Sequence, residues 1–148
     1  MTSLYPIMLN LADQAVGVIG GGQVAARKIK TLNLLGIIPV VVSPQLNPQI
    51  NRSQIKWIAD TYHYHYVQDL RLLLACTDNR GVNHQIRLDA SSKQIVNNVS
   101  DQQDSDFFNM ATIVQSDLVV TVSTRGHSPA RAKHVKQVLE RLLQQQKL

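Results

Sequence analysis

Apolar residues come in short runs along this chain, divided by polar or helically patterned stretches. Residues 16–19, 38–42, 55–59, 70–75 and 94–99 read as strands. After the first run, Ala25, Ile29, Leu32 and Leu35 recur at helical spacing, which predicts a helix over 23–35 stopped by Gly36. Residues 82–91 pattern as a second helix, with Asp78 or Asn79 as its cap. Residues 6–11 read as a short apolar lead-in or edge strand, and 44–53 as a proline-punctuated loop with a short helix. Tyr62, Tyr64 and Tyr66 alternate with His63 and His65, which is the period of a strand. Beyond residue 106 the pattern changes. Two strand-like runs, 107–114 and 118–123, are parted only by Gln115, Ser116 and Asp117, so they predict an antiparallel hairpin. Ser128 then Pro129 is a cap followed by proline in the first turn of a final helix. Ala132, Val135, Val138, Leu139, Leu142 and Leu143 fall on one face of that helix. The order is α/β: a parallel sheet with helices over 1–106, then two strands and a helix over 107–148. A hairpin and one helix cannot bury such a stripe alone, so a second copy of the chain is expected against it.

The first junction carries the most specific chemistry. An apolar strand runs straight into Gly20, Gly21 and Gly22, and a helix follows at Gln23. Gly20-x-Gly22-x-x-Ala25 in that setting is a dinucleotide fingerprint of the Rossmann type. Gly20 makes the tight turn, Gly22 lets the backbone approach a pyrophosphate, and small Ala25 lets the helix lie close on the strand. The N–H groups of Gln23 and Val24 would then face the phosphates with the positive end of the helix dipole. The alternative is a tight strand-to-helix turn that binds nothing. The next strand ends at Ser43, Pro44 and Gln45, where the adenosine ribose would lie. Neither the acidic residue that marks NAD nor an arginine for a 2′-phosphate stands there, so charge leaves the cofactor as NAD by weak preference. Thr77 and Asp78 follow the fourth strand, beside the same crevice; Asp78 could equally serve only as a cap.

Composition narrows the partners. Among 148 residues, 44% are hydrophobic, aromatics are 5%, and the formal charge is +5 with a pI near 9.6. Basic residues are scattered, and no RNA-binding aromatic motif or arginine-rich run is present, so nucleic acid is not expected. A polyanionic small molecule suits the charge. The longest apolar stretch is too short for a membrane span, and the first residues lack a basic leader. A single cysteine, Cys76, suits the reducing cytoplasm and, with no base beside it in sequence, reads as packing. His63 and His65 without a third ligand make no metal site. Arg27 and Lys28 are expected to face solvent.

VIGGGQVAARK, then VVVSPQL, ACTDNRGVN, VNNVSD and VTVSTRGHSPARAK follow one another in the order and spacing of the precorrin-2 dehydrogenases. The chain resembles that family, the amino-terminal part of siroheme synthases, over nearly its whole length. The resemblance implies a Rossmann domain followed by a dimerisation region, and oxidation of precorrin-2 to sirohydrochlorin with NAD in siroheme biosynthesis. It leaves ferrous iron insertion open, as well as a non-catalytic module that only holds a dinucleotide or tetrapyrrole. The family motif N-V-V-D matches Asn98-Val99-Ser100-Asp101, which makes Asp101 the implied catalytic residue. Gln23, Val24, Ser43 to Gln45 and the segment from Thr77 to Asn83 match cofactor-contacting positions. Arg125, His127, Ser128 and Arg131 are candidates for the substrate's carboxylates. Three features depart from the pattern. Where the family tends to have proline after Phe-Ile-x, this chain has Phe107-Phe108-Asn109-Met110. Arg125 stands where the family's S-[ST]-G-G-x-SP turn has glycine, and many members continue into a further small helical domain that this sequence does not contain.

Overall fold

The computed structural model describes residues 3–146. Strand β1 (Val16–Ile19) leads into helix α1 (Gln23–Leu34), then β2 (Val40–Val42) and β3 (Lys56–Ile58). After β4 (Leu72–Ala75) come α2 (Arg80–Asp89) and β5 (Ile95–Asn98). These five strands form one parallel sheet in the order β3-β2-β1-β4-β5. The chain therefore works outward in one direction from β1 and in the other from β4. In open sheets of this kind the crevice at that reversal, outside the carboxyl ends of the strands, is where ligands bind.

Period-two alternation sends side chains to both faces. Val16, Val18, Val41, Leu72 and Leu74 meet Ala25, Ile29 and Leu32 of α1 on one side. Ile19, Val42, Leu73, Ala75 and Val96 meet Ile86 of α2 and Val67 on the other. Burying a residue such as Ile29 contributes about 2 kcal/mol. Helix α1 stops one residue before the predicted end. Gly36 takes φ +76°, its N–H donates to the Asn33 carbonyl and the Ile37 N–H to the Leu32 carbonyl, which closes the last turn and leaves Leu35 exposed.

Residues 6–11 are a lead-in and not an edge strand, and they are mostly exposed. Tyr64–Tyr66 is a 3-10 turn, not a strand. The tyrosines alternate inward there because their hydroxyls reach acceptors: Tyr62 donates to Asp89, Tyr64 to Gln94 and Tyr66 to Asp60. His63 and His65 are left on the outside, with ring centroids 5.7 Å apart. Among the described residues, no three His, Cys, Asp or Glu side chains group in a way that could hold a metal ion.

The outer side of β5 is covered by the loop that follows it. Asp106 accepts from the Val96 N–H through Oδ2 and returns its own N–H to the Val96 carbonyl. The Asn98 N–H donates to the Ser105 hydroxyl, and the Asn98 carbonyl accepts from the Asp101 N–H.

Leu9–Phe108 is one compact unit, and the chain from Asn109 onward belongs to another. In the latter, β6 (Ala111–Gln115) and β7 (Leu118–Val122) pair antiparallel, and α3 (Pro129–Gln146) packs on them. The first hairpin strand begins later than its apolar pattern suggests, since Phe107 packs into the core of the Leu9–Phe108 unit instead. Ile113 and Ala132 are buried, whereas Val114, Leu118, Val119, Val138 and Leu142 are exposed. Among the described residues, no helix is long and apolar enough to cross a membrane.

Candidate functional site

The three glycines after β1 meet three different surroundings. Gly20 has φ +119°, and a Cβ on it would lie 2.5 Å from the Cys76 carbonyl oxygen at the end of β4. A Cβ on Gly21 would run into the Gln45 carbonyl oxygen and come within 2.7 Å of the Ser43 hydroxyl. Around Gly22 nothing lies within 4 Å of that position. The first glycine thus fits the loop to β4, the second to the bend after β2, and the third borders open space. Sequence reasoning gave Gly21 no role; its only signal was the unbroken run of three. The bend is also held by the Asn47 N–H, which donates to the Gly21 carbonyl at 2.7 Å, and by the Asn47 amide, which donates to Gln23.

Helix α1 starts at Gly22 with no side-chain cap and no acidic residue in its first turn. Among the described residues, the other two α-helices start differently. Asn79 accepts from the Gly81 and Val82 N–H groups at the head of α2, and Ser128 from the Arg131 N–H at the head of α3. An uncapped helix start beside open space offers donors and a positive dipole end to an anion. The Gln23 side chain is engaged by Asn47, and Val24 packs against the core, so both present backbone N–H groups rather than side chains.

At the end of β2, Ser43 is buried and its hydroxyl donates to the Gln45 carbonyl at 2.7 Å. Ser43 shapes the bend, and Pro44 and Gln45 are the residues exposed there. Trp57 donates from its indole nitrogen to the Ser43 carbonyl and carries Arg52 over its ring at 4.4 Å. Neither residue was singled out from the sequence.

Beyond β4, the cap is Asn79, and Asp78 is exposed. Asn83 is fully buried, with every polar position of its amide in use. Oδ1 accepts from the Thr77 N–H at 3.1 Å and hydroxyl at 2.7 Å, and Nδ2 donates to the Thr77 carbonyl at 3.0 Å and the Ser100 hydroxyl at 3.2 Å. The side chain expected to touch a cofactor instead holds Thr77 in place.

Asp101 is exposed in the loop after β5, where its carboxylate accepts the Gln103 N–H at 2.9 Å. Farther along the loop, Asp104 meets His84 of α2 at 2.9 Å, and Asp106 meets Arg87 at 2.7 Å. Burial raises the Asp104 pKa, but hydrogen bonds from His84 and Asn98 outweigh it and hold the group below its ordinary value. Lys28 does not face solvent as expected. It is half-buried, with Nζ 3.5 Å from Asn97 Oδ1 of β5. Burial holds its pKa below the ordinary lysine value; the nearby Cys76 opposes this and Arg27 adds to it. Burial likewise pushes the Cys76 thiol up to about 12, with Lys28 pulling the other way, so that thiol is protonated and packed.

The glycine loop, the 43–47 bend and the Thr77 turn are thereby joined in one unit. The candidates for substrate carboxylates lie in the other, on the β7–α3 turn. Arg125, His127 and Arg131 are exposed there, while the Ser128 hydroxyl is taken up as the α3 cap. Arg125 has φ +55°, a left-handed conformation that favours glycine, and its N–H donates to the Ser123 hydroxyl.

The family model described as "Putative NAD(P)-binding" matches residues 7–111. The siroheme synthase of Photorhabdus laumondii is 33% identical over 143 residues, which is 93% of this chain and 30% of that protein. That of Xylella fastidiosa is 33% identical over 147 residues, 95% of this chain and 31% of that one. The chain thus spans about a third of the length of these relatives. Among solved structures, "SirC, precorrin-2 dehydrogenase" is similar with a TM-score of 0.81 and 27% identity, covering 92% of this chain and 69% of that one. With its parallel sheet and glycine turn inside that match, the chain belongs to this NAD(P)-binding family.

Proposed function

We propose that the chain is an NAD-dependent precorrin-2 dehydrogenase that yields sirohydrochlorin and works in the cytosol as a homodimer. The observation that carries the reading is the head of α1, which starts without a side-chain cap beside the open space at Gly22. The names of the relatives supply the substrate.

In this reading the backbone N–H groups of Gly22, Gln23 and Val24 take the pyrophosphate, Pro44 and Gln45 border the adenosine, and Thr77 and Asp78 flank the other half. The dinucleotide, when bound, supplies the hydride acceptor. Oxidation removes a hydride and a proton from the macrocycle. Asp101 is the exposed carboxylate that accepts the proton. Arg125, His127 and Arg131 meet the substrate's carboxylates, and the net charge of +5 favours the approach of a polyanion. The exposed apolar residues of β6, β7 and α3 are the surface for the second copy.

Anaerobic mixing with precorrin-2 and NAD should give the absorbance change to sirohydrochlorin. Asp101→Asn should lower turnover by at least tenfold, on the scale of lost general-base catalysis, with dinucleotide affinity nearly unchanged. Dinucleotide binding without any turnover in the unaltered protein would identify a binding module instead.

A further inference from the structure

The Asp101 side chain is steered by its backbone, because its hydrogen bond among the described residues is local, from the Gln103 N–H. That backbone is fixed from two directions. The Asp101 N–H donates to the Asn98 carbonyl at 3.2 Å, and its carbonyl accepts from the Ser105 hydroxyl at 2.9 Å. The neighbouring residue, Ser100, is tied more widely. Its N–H and hydroxyl both donate to Asn98 Oδ1, at 3.0 and 2.7 Å, and the same hydroxyl oxygen accepts from Asn83 Nδ2 at 3.2 Å. Asn83 is bound to Thr77 by its other amide positions, and Thr77 Oγ1 accepts from the Asn79 N–H.

One hydroxyl therefore closes a chain from the turn after β4 to the loop bearing Asp101: Thr77, Asn83, Ser100, Asn98. The donors run in series, so each bond polarises the next. The other ties between α2 and this loop, His84 to Asp104 and Arg87 to Asp106, lie farther along the loop and nearer solvent, where screening weakens them. The residue type matters. A side chain without a hydroxyl, such as valine, could not bridge the two amides.

We propose that Ser100 is a positioning residue that locks the Asp101 loop to the Thr77 turn, so that a dinucleotide ordering the turn also orders the aspartate. This rests on the reading of the site given above, and its test separates the two. Amide hydrogen exchange over 99–105 is measured in the full chain with and without saturating NAD, for the unaltered protein, Ser100→Ala and Ser100→Thr. NAD should slow exchange in the loop about tenfold in the unaltered protein and Ser100→Thr, the effect of one hydrogen bond, and barely at all in Ser100→Ala. The affinity for NAD should stay within about twofold in all three, as expected for a residue that does not touch it, while kcat of Ser100→Ala falls about tenfold with KM little changed. Ser100→Cys, close in shape but a weak hydrogen-bonding partner, gives the same readout if the alanine variant fails to fold. Loop protection by NAD that persists in the alanine or cysteine variant overturns the proposal and leaves the functional reading intact. An unaltered protein that does not bind NAD overturns both.

Discussion

Two strand-to-helix turns lie side by side at the carboxyl edge of the sheet, and they finish in opposite ways. After β4, the turn is filled from within: Asn79 caps α2, Thr77 bonds to Asn79 and Asn83, and Asn83 has no free valence. After β1, the backbone is packed just as closely at Gly20 and Gly21, yet the helix begins without a cap and Gly22 borders empty space. Both turns belong to the same unit and the same sheet. The difference shows where folding has used up the polar groups and where it has left them for a visitor. A turn built only for stability would resemble the one after β4.

The sharpest way to break the contrast is Gly21→Ala. Its methyl group would collide with the backbone carbonyl of Gln45, which cannot swing aside as a flexible side chain can. We expect a loss of about 2–4 kcal/mol, in the range for overpacking a close contact, read from the urea midpoint. Gly22→Ala is the control: its methyl group meets nothing, and the loss read from that midpoint should stay below about 1 kcal/mol, the preference for glycine over alanine at a helix start.

Gly22→Asp would make the first turn imitate the second. A carboxylate cap adds a few tenths of a kcal/mol to the helix over glycine. The same charge stands where a phosphate is expected, so NAD affinity measured by calorimetry should fall at least tenfold, about 1.4 kcal/mol. Unchanged affinity would remove the α1 start from the binding site.

Asn79→Ala makes the opposite conversion and should have the smallest effect. It uncaps α2 at a cost of about 1 kcal/mol, seen as a lower Tm. No anion site should appear in its place, because Thr77 and Asn83 still fill the turn.

The alternation of strands with helices was legible because its signals are local. A period of two, a period of 3.6 and glycines at the junctions each need only a dozen neighbouring residues. The family resemblance added Asp101 in the same way, from a short motif. What stayed hidden depends on residues far apart in the chain. Gly21 matters because of a carbonyl at Gln45, Lys28 because of Asn97, and Asn83 because Ser100 comes back to it from the end of another strand. The tyrosines of 62–66 misled for a related reason. Their period of two is real, but Asp60, Asp89 and Gln94 create it by receiving hydroxyls around a 3-10 turn, where a strand would owe it to an apolar face.

The covering of β5 by its own loop has one more consequence. An uncovered border strand can recruit a matching strand from a neighbouring molecule and so seed sheet growth without limit. Here the outward groups of Val96 and Asn98 are already answered by Asp101, Ser105 and Asp106, so the sheet is finished on that side. The loop that carries Asp101 also guards against aggregation, and shortening it would expose a strand ready to polymerise.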